Sequence, residues 1–154
     1  GNFSFSYRAV DSKGALSANT VNASVSVAGS EVIAFTKQIY KVGNVGGAIS
    51  ARWTVSGTDS VLQGETITIV YNNGTLTAAA GGGTCNGTAA NPNCVIGTAV
   101  VDSLGNFLFD QVMVPGGPTD PTDTATWASA PTAIKAFSSS PVLGGSATAA
   151  ITLK

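Results

Sequence analysis

A period of two is the feature that most constrains this chain. Phe3, Phe5, Tyr7 and Ala9 alternate with Asn2, Ser4, Ser6 and Arg8, and Val21, Ala23, Val25 and Val27 alternate with Thr20, Asn22, Ser24 and Ser26. Successive strand side chains point to opposite faces, so each run describes a strand that is apolar on one side and polar on the other. Between the runs stands DSKG at 11–14, and the same Asp-Ser-x-Gly pattern returns as DSLG at 102–105. Asp suits the first position of a type I turn because its carboxylate accepts the backbone N–H two residues on. Gly suits the last because it takes a positive φ without a Cβ clash. A metal loop would add oxygen ligands at alternate positions, as in D-x-D-x-D-G, and neither segment has them. Both are expected to be hairpin tips, and YNNG at 71–74 carries the Asn-Gly signature of a third.

Further strands are expected near 31–40, 49–57, 65–71, 95–102, 106–113, 123–128, 132–138 and 146–153. Val, Ile and Thr dominate them, and Pro, Gly and Asn clusters separate them. No apolar pattern is sustained at helical spacing, so the expected fold class is all-β, an antiparallel sandwich. Its expected core is Trp53, Val55, Ile67, Ile69, Val101, Phe107, Phe109, Ile134 and Ile151. Within FLF, 107–109, no polar residue sets which of Leu108 and Phe109 faces inward.

With 154 residues the chain has room for one ordinary domain, or one domain and a fragment. Its start at Gly1 rather than Met suggests a processed product or a piece of something longer. The organisation is lopsided: residues 1–28 form one hairpin, AGSE makes a junction, and residues 30–154 carry strands enough for a complete sandwich. A lone hairpin is marginally stable in water. Its apolar rows, with Phe3, Phe5, Tyr7, Val21, Val25 and Val27, would form a patch of a size that soluble monomers avoid. The hairpin is therefore expected to be an assembly or interdomain element, covered by a neighbouring domain or an identical subunit.

Composition removes several function classes. Charged residues make up 10% of the chain, its net charge is -1, and its seven Lys and Arg form no run. That lacks the footprint needed to hold a phosphate backbone, so no nucleic-acid partner is expected. No apolar stretch approaches the length of a membrane span, and no basic flank with an apolar core marks a signal peptide. There is no histidine, which removes Ser-His-Asp and Cys-His catalysis and histidine metal sites. Of the eight acids, Asp11, Asp59 and Asp102 fall at expected turns and Glu31 at the junction. No catalytic residue is assigned, and the chain is not read as an enzyme.

Cys85 and Cys94 lie in a Gly/Asn/Thr-rich loop with eight residues between them. Paired zinc ligands stand closer and need further partners, so a disulfide is expected, and with it an oxidising compartment: an extracellular or cell-surface location. Asp120 and Asp123 in GGPTDPTDT have two readings, oxygen ligands for a calcium ion or residues that set turns. Trp53 shares its strand face with Ala51 and Val55, as a core residue does, whereas Trp127 stands open between the core and a platform for stacking on a glycan. Asn2, Asn22, Asn73 and Asn86 head Asn-x-Ser/Thr sequons. Isopeptide cross-linking is discounted because the closing strand offers no Asn or Asp partner.

Residues 1–27 resemble the final hairpin of bacterial cadherin-like repeats: an aromatic strand, a D-x-x-G turn and a Val/Thr-rich closing strand. RWTVSGTDSVLQGETITIV at 52–70, VIGTAVVDSLGNFLF at 95–109 and the closing ATAAITLK resemble a bacterial immunoglobulin-like module. There an S-G-T strand end, a Gly before a T-I-T-I strand and a G-T-A-x-V-D-x-x-G-N-F hairpin recur in this order. The resemblance implies an immunoglobulin-like β-sandwich preceded by a β-hairpin, in a structural or adhesive module of a secreted or surface-exposed protein. A filament subunit assembled by strand addition through residues 1–28, and a carbohydrate-binding or accessory domain of a larger secreted enzyme, are the alternatives. The insertion from Leu76 to Asn93 and the Pro-rich loop at 115–121 depart from the short connections of such modules, so an individual function is expected there.

Overall fold

The computed structural model describes residues 2–26, 31–45, 48–60, 64–139 and 144–154. The chain divides into two compact units, Gly1–Ser30 and Glu31–Lys154.

In the smaller unit, β1 (Asn2–Tyr7) and β2 (Val21–Ser26) pair antiparallel, with Phe5 opposite Ala23 and Tyr7 opposite Val21. This register puts Phe5, Tyr7, Val21 and Ala23 on one face. Polar contacts mark the other face, where Ser6 Oγ donates to Asn22 Oδ1 and Arg8 Nε to Thr20 Oγ1. At the tip, Gly14 N donates to Asp11 O, while Asp11 Oδ1 accepts from Lys13 N and Ala15 N, both at 2.8 Å.

The larger unit is a sandwich of two four-stranded sheets. Its strands are β3 (Ile33–Val45), β4 (Ala48–Asp59), β5 (Thr66–Tyr71), β6 (Thr75–Leu76), β7 (Val95–Val100), β8 (Asn106–Met113), β9 (Trp127–Ser129), β10 (Ala133–Ser138), β11 (Ser146–Ala150) and β12 (Thr152–Leu153). One sheet runs β11-β10-β5-β7, antiparallel throughout; the other runs β12-β3-β4-β8, antiparallel except for the parallel β12–β3 pair. β6 and β9 make a short separate ribbon.

Alternation builds the core between the sheets. Trp53 and Val55 on β4, Ile67 and Ile69 on β5, and Ile134 on β10 are fully buried, and Val101 and Phe107 nearly so. Phe109 is buried while Leu108 is 60% exposed, which sets the phase of FLF. Two glycines make room for these rings: a Cβ on Gly57 would lie 2.5 Å from the Phe107 ring, and one on Gly97 2.3 Å from the Phe109 ring. Ile151 is half-buried against this core, at the point where the chain leaves β11 for β12 in the opposite sheet.

Four expected elements differ. DSLG at 102–105 is a tight turn but not the tip of a paired hairpin: β7 pairs with β5 and β8 with β4, so the turn carries the chain from one sheet to the other. YNNG does not join two paired strands, since β5 pairs with β7 and β10 and not with β6. Instead, Asn73 Oδ1 accepts from Thr132 N and Ala133 N, and its Nδ2 donates to Thr132 Oγ1, tying the turn to a segment some sixty residues on. The strand expected at 123–128 shrinks to Trp127–Ser129, because the Asp123 side chain holds the preceding residues in turns. The single strand expected at 146–153 is two, β11 and β12, one in each sheet.

Candidate functional site

The Pro-rich loop after β8 and the aromatic residues beneath it hold most of the chemistry proposed from sequence. Gly116 and Gly117 have φ of 104° and 80°, left-handed values that favour glycine, and so turn the loop back on itself. Asp120 then acts as its internal anchor: Oδ2 accepts from Gly116 N, and Oδ1 accepts from the Thr122 amide and hydroxyl. Asp123 repeats the arrangement, taking Gly117 N and the Thr126 hydroxyl on Oδ2 and Ala125 N on Oδ1. Burial works to raise the Asp120 carboxyl, and the donors from Thr122 and Gly116 outweigh it, leaving it below its ordinary value. The Thr126 hydroxyl and Gly117 amide hold Asp123 low as well. Each of the four oxygens thus already receives an N–H or O–H donor. A calcium ion would have to displace these donors, and among the described residues no group of three or more His, Cys, Asp or Glu stands where it could hold a metal ion.

From below, three side chains pin the loop backbone. Trp53 Nε1 and Tyr71 OH both donate to Thr119 O, at 2.8 and 3.0 Å, and Trp127 Nε1 donates to Asp120 O at 2.8 Å. The rings form a chain, Tyr40–Trp53–Tyr71–Trp127, with centroids 5.2, 6.2 and 5.0 Å apart. Trp127 is 4% exposed, so its ring packs on Tyr71 and offers no face to a sugar. Among the described residues the buried Tyr40 hydroxyl has no partner at hydrogen-bond geometry. Burial, and then the neighbouring Asp120 carboxylate, push its pKa well above the ordinary value. Sequence reasoning missed both tyrosines of this cluster, although Tyr40 and Tyr71 end the strands expected at 31–40 and 65–71.

A second group of acids is buried where the larger unit begins. Glu31 and Asp59 are 6% and 4% exposed, and Glu31 Oε2 accepts from Ser138 Oγ and Gly145 N at 2.6 and 2.7 Å. Burial works to raise the Glu31 carboxyl, and these two donors together with Asp59 bring it below its ordinary value. The sequence placed these acids at a junction and a turn, without their burial.

Cys85 and Cys94 are joined by a disulfide, both 1% exposed, with Cα atoms 5.5 Å apart. It closes the insertion after β6, where single 3-10 turns at Ala78–Ala80 and Pro92–Cys94 are capped by Thr77 and Asn91. On the hairpin, Phe5, Tyr7 and Val21 are 55%, 51% and 48% exposed, and the Phe5 and Tyr7 ring centroids lie 6.2 Å apart. The side chains of Phe3 and Val25, and Val27 as a whole, lie outside the described residues. On the outer face of β3, β4 and β8, an open groove of about 510 Å³ is lined by Lys41, Asn44, Ser50, Arg52 and Val112. Its Arg52 is engaged in a two-pronged ion pair with Asp110. Among the described residues no helix is long and apolar enough to cross a membrane. The chain matches no protein-family model, no curated protein and no solved structure.

Proposed function

We propose that the chain is a non-catalytic structural or adhesive module of a secreted or surface-exposed bacterial protein, an immunoglobulin-like sandwich preceded by the closing hairpin of a cadherin-like repeat. The observation that carries this reading is that the groups best suited to chemistry are spent on internal structure. Asp11 and Asp102 hold turns, Asp120 and Asp123 hold the Pro-rich loop, and Trp53, Tyr71 and Trp127 pin that loop to the core. The buried disulfide supports an oxidising compartment. The mass of the native polypeptide tests the reading: a module of a larger protein gives a chain well above this one.

A second reading, a filament subunit assembled by strand addition, is favoured by the half-exposed row of Phe5, Tyr7 and Val21 on the hairpin. Sedimentation separates the two. A filament subunit self-associates, and Phe5→Ser with Tyr7→Ser abolishes it; a spacer module has its native length and no dependence on concentration.

A further inference from the structure

The topology of the larger unit carries a role that rests on the spacer reading and deepens it. We propose that Glu31–Lys154 is a load-bearing module, in which the parallel β3–β12 pair acts as a shear clamp against tension applied between its two ends.

β3 is the first strand of this unit and β12 the last, and they are parallel neighbours, Thr152 opposite Ile39 and Leu153 opposite Tyr40. The pairing continues to the last residue: Lys154 N donates to Tyr40 O and Val42 N to Lys154 O, both at 3.0 Å. Tension between Glu31 and Lys154 therefore draws β3 toward its own start and β12 toward its own end. Lys154 stands level with Lys41, so about 26 Å of strand separates it from Ile33 along the axis, against a sideways offset of one strand spacing, about 4.8 Å. The load runs nearly along the strands, while the hydrogen bonds lie across them. They must yield together rather than open one at a time.

The surroundings make β12 the element that gives. β3 is held on its other side by β4 from Ile33↔Asp59 to Val45↔Ala48, with one bulge at Thr36. Its start is doubly fixed. Val32 N donates to Ser60 Oγ and Ser60 N to Val32 O, and the buried Glu31 carboxylate takes Ser138 Oγ from β10 and Gly145 N from the residue before β11. Behind β12, the five residues of β11 pair with β10 from Ala150↔Ala133 to Ser146↔Phe137, again along the direction of pull.

Single-molecule stretching of the full chain through terminal tags tests this. The sandwich is expected to open in one event that lengthens the chain by roughly 380 Å, the disulfide loop excluded, at a force several-fold above that needed when the same sandwich is loaded between Lys154 and a handle at Lys41 (Lys41→Cys). In that second geometry the load crosses the β3–β12 gap and peels it. Lys154→Pro removes the N–H given to Tyr40 O at an exposed position. It is expected to lower the end-to-end force while leaving the denaturant midpoint unchanged. Equal forces in the two geometries, or an end-to-end force that Lys154→Pro does not lower, overturn the clamp and leave the spacer reading standing. A native polypeptide no longer than this chain overturns the spacer reading and leaves the force ratio untouched.

Discussion

Asp11–Gly14 and Asp102–Gly105 are one turn built twice. In each, the Gly N–H returns to the Asp carbonyl, Asp Oδ1 accepts from the amides two and four residues on at 2.8 Å, and the Gly stands at a φ of 83° or 79°. What flanks them differs. Beside the second turn Phe107 is 2% exposed under a second sheet, while on the first hairpin Phe5 and Tyr7 stay about half exposed. Identical turn chemistry reverses the chain in both places, and among the described residues the sandwich turn is the one backed by a buried core. Reversal is encoded locally, whereas stability comes from what the strands pack against.

Substitutions at matched positions sharpen this contrast. The largest effect is expected at the aromatics: Phe107→Ala should lower the stability of the sandwich by about 3 to 5 kcal/mol, whereas Phe5→Ala should move the same denaturant melt by less than about 0.5 kcal/mol. Replacing both cysteines with Ala opens the loop closed by Cys85 and Cys94 and should cost about 2 to 3 kcal/mol on the chain-entropy account. Gly105→Ala forces a side chain into the left-handed region and should cost about 1 to 2 kcal/mol; Gly14→Ala carries the same local strain and should leave the sandwich melt unmoved. Arg52→Ala, which breaks an exposed ion pair with Asp110, is expected to have the smallest effect, barely moving the melt.

Acid sharpens the contrast in another way. Asp102, Asp110, Asp120, Asp123 and Glu31 all have carboxyl groups held below their ordinary values in the folded state. A depressed folded value means stability that is present above the ordinary carboxylate range and lost as pH falls through the folded values. The sandwich should therefore melt at progressively lower temperature below about pH 4, and Asp120→Asn should flatten that decline.

The strands were legible because alternation is a local signal: Trp53, Val55, Ile67 and Ile69 can be placed inside from their neighbours alone. Three of the departures share a cause, a side chain whose partner lies outside its own strand or turn. Asn73 presents the signature of a tight hairpin, yet its bonds reach Thr132 and Ala133. Trp127 was ambiguous because its burial depends on Tyr71 and on Asp120 O, neither of them near in its own strand. Glu31 looked like junction material because Ser138 and Gly145, which bury it, come more than a hundred residues later. The switch of the closing strand between sheets at Ile151 has no turn residue to announce it: the chain runs straight through, and its backbone N–H simply finds Thr132 O.

We propose that the sandwich folds on its own while the hairpin needs a neighbouring domain or subunit to cover its apolar face, and deleting residues 1–30 tests this most directly. Residues 31–154 alone should unfold in one cooperative transition at the midpoint of the full chain and should sediment as a monomer at every concentration. A truncated chain that fails to fold, or that melts far below the full chain, would contradict the claim and make the hairpin part of the sandwich.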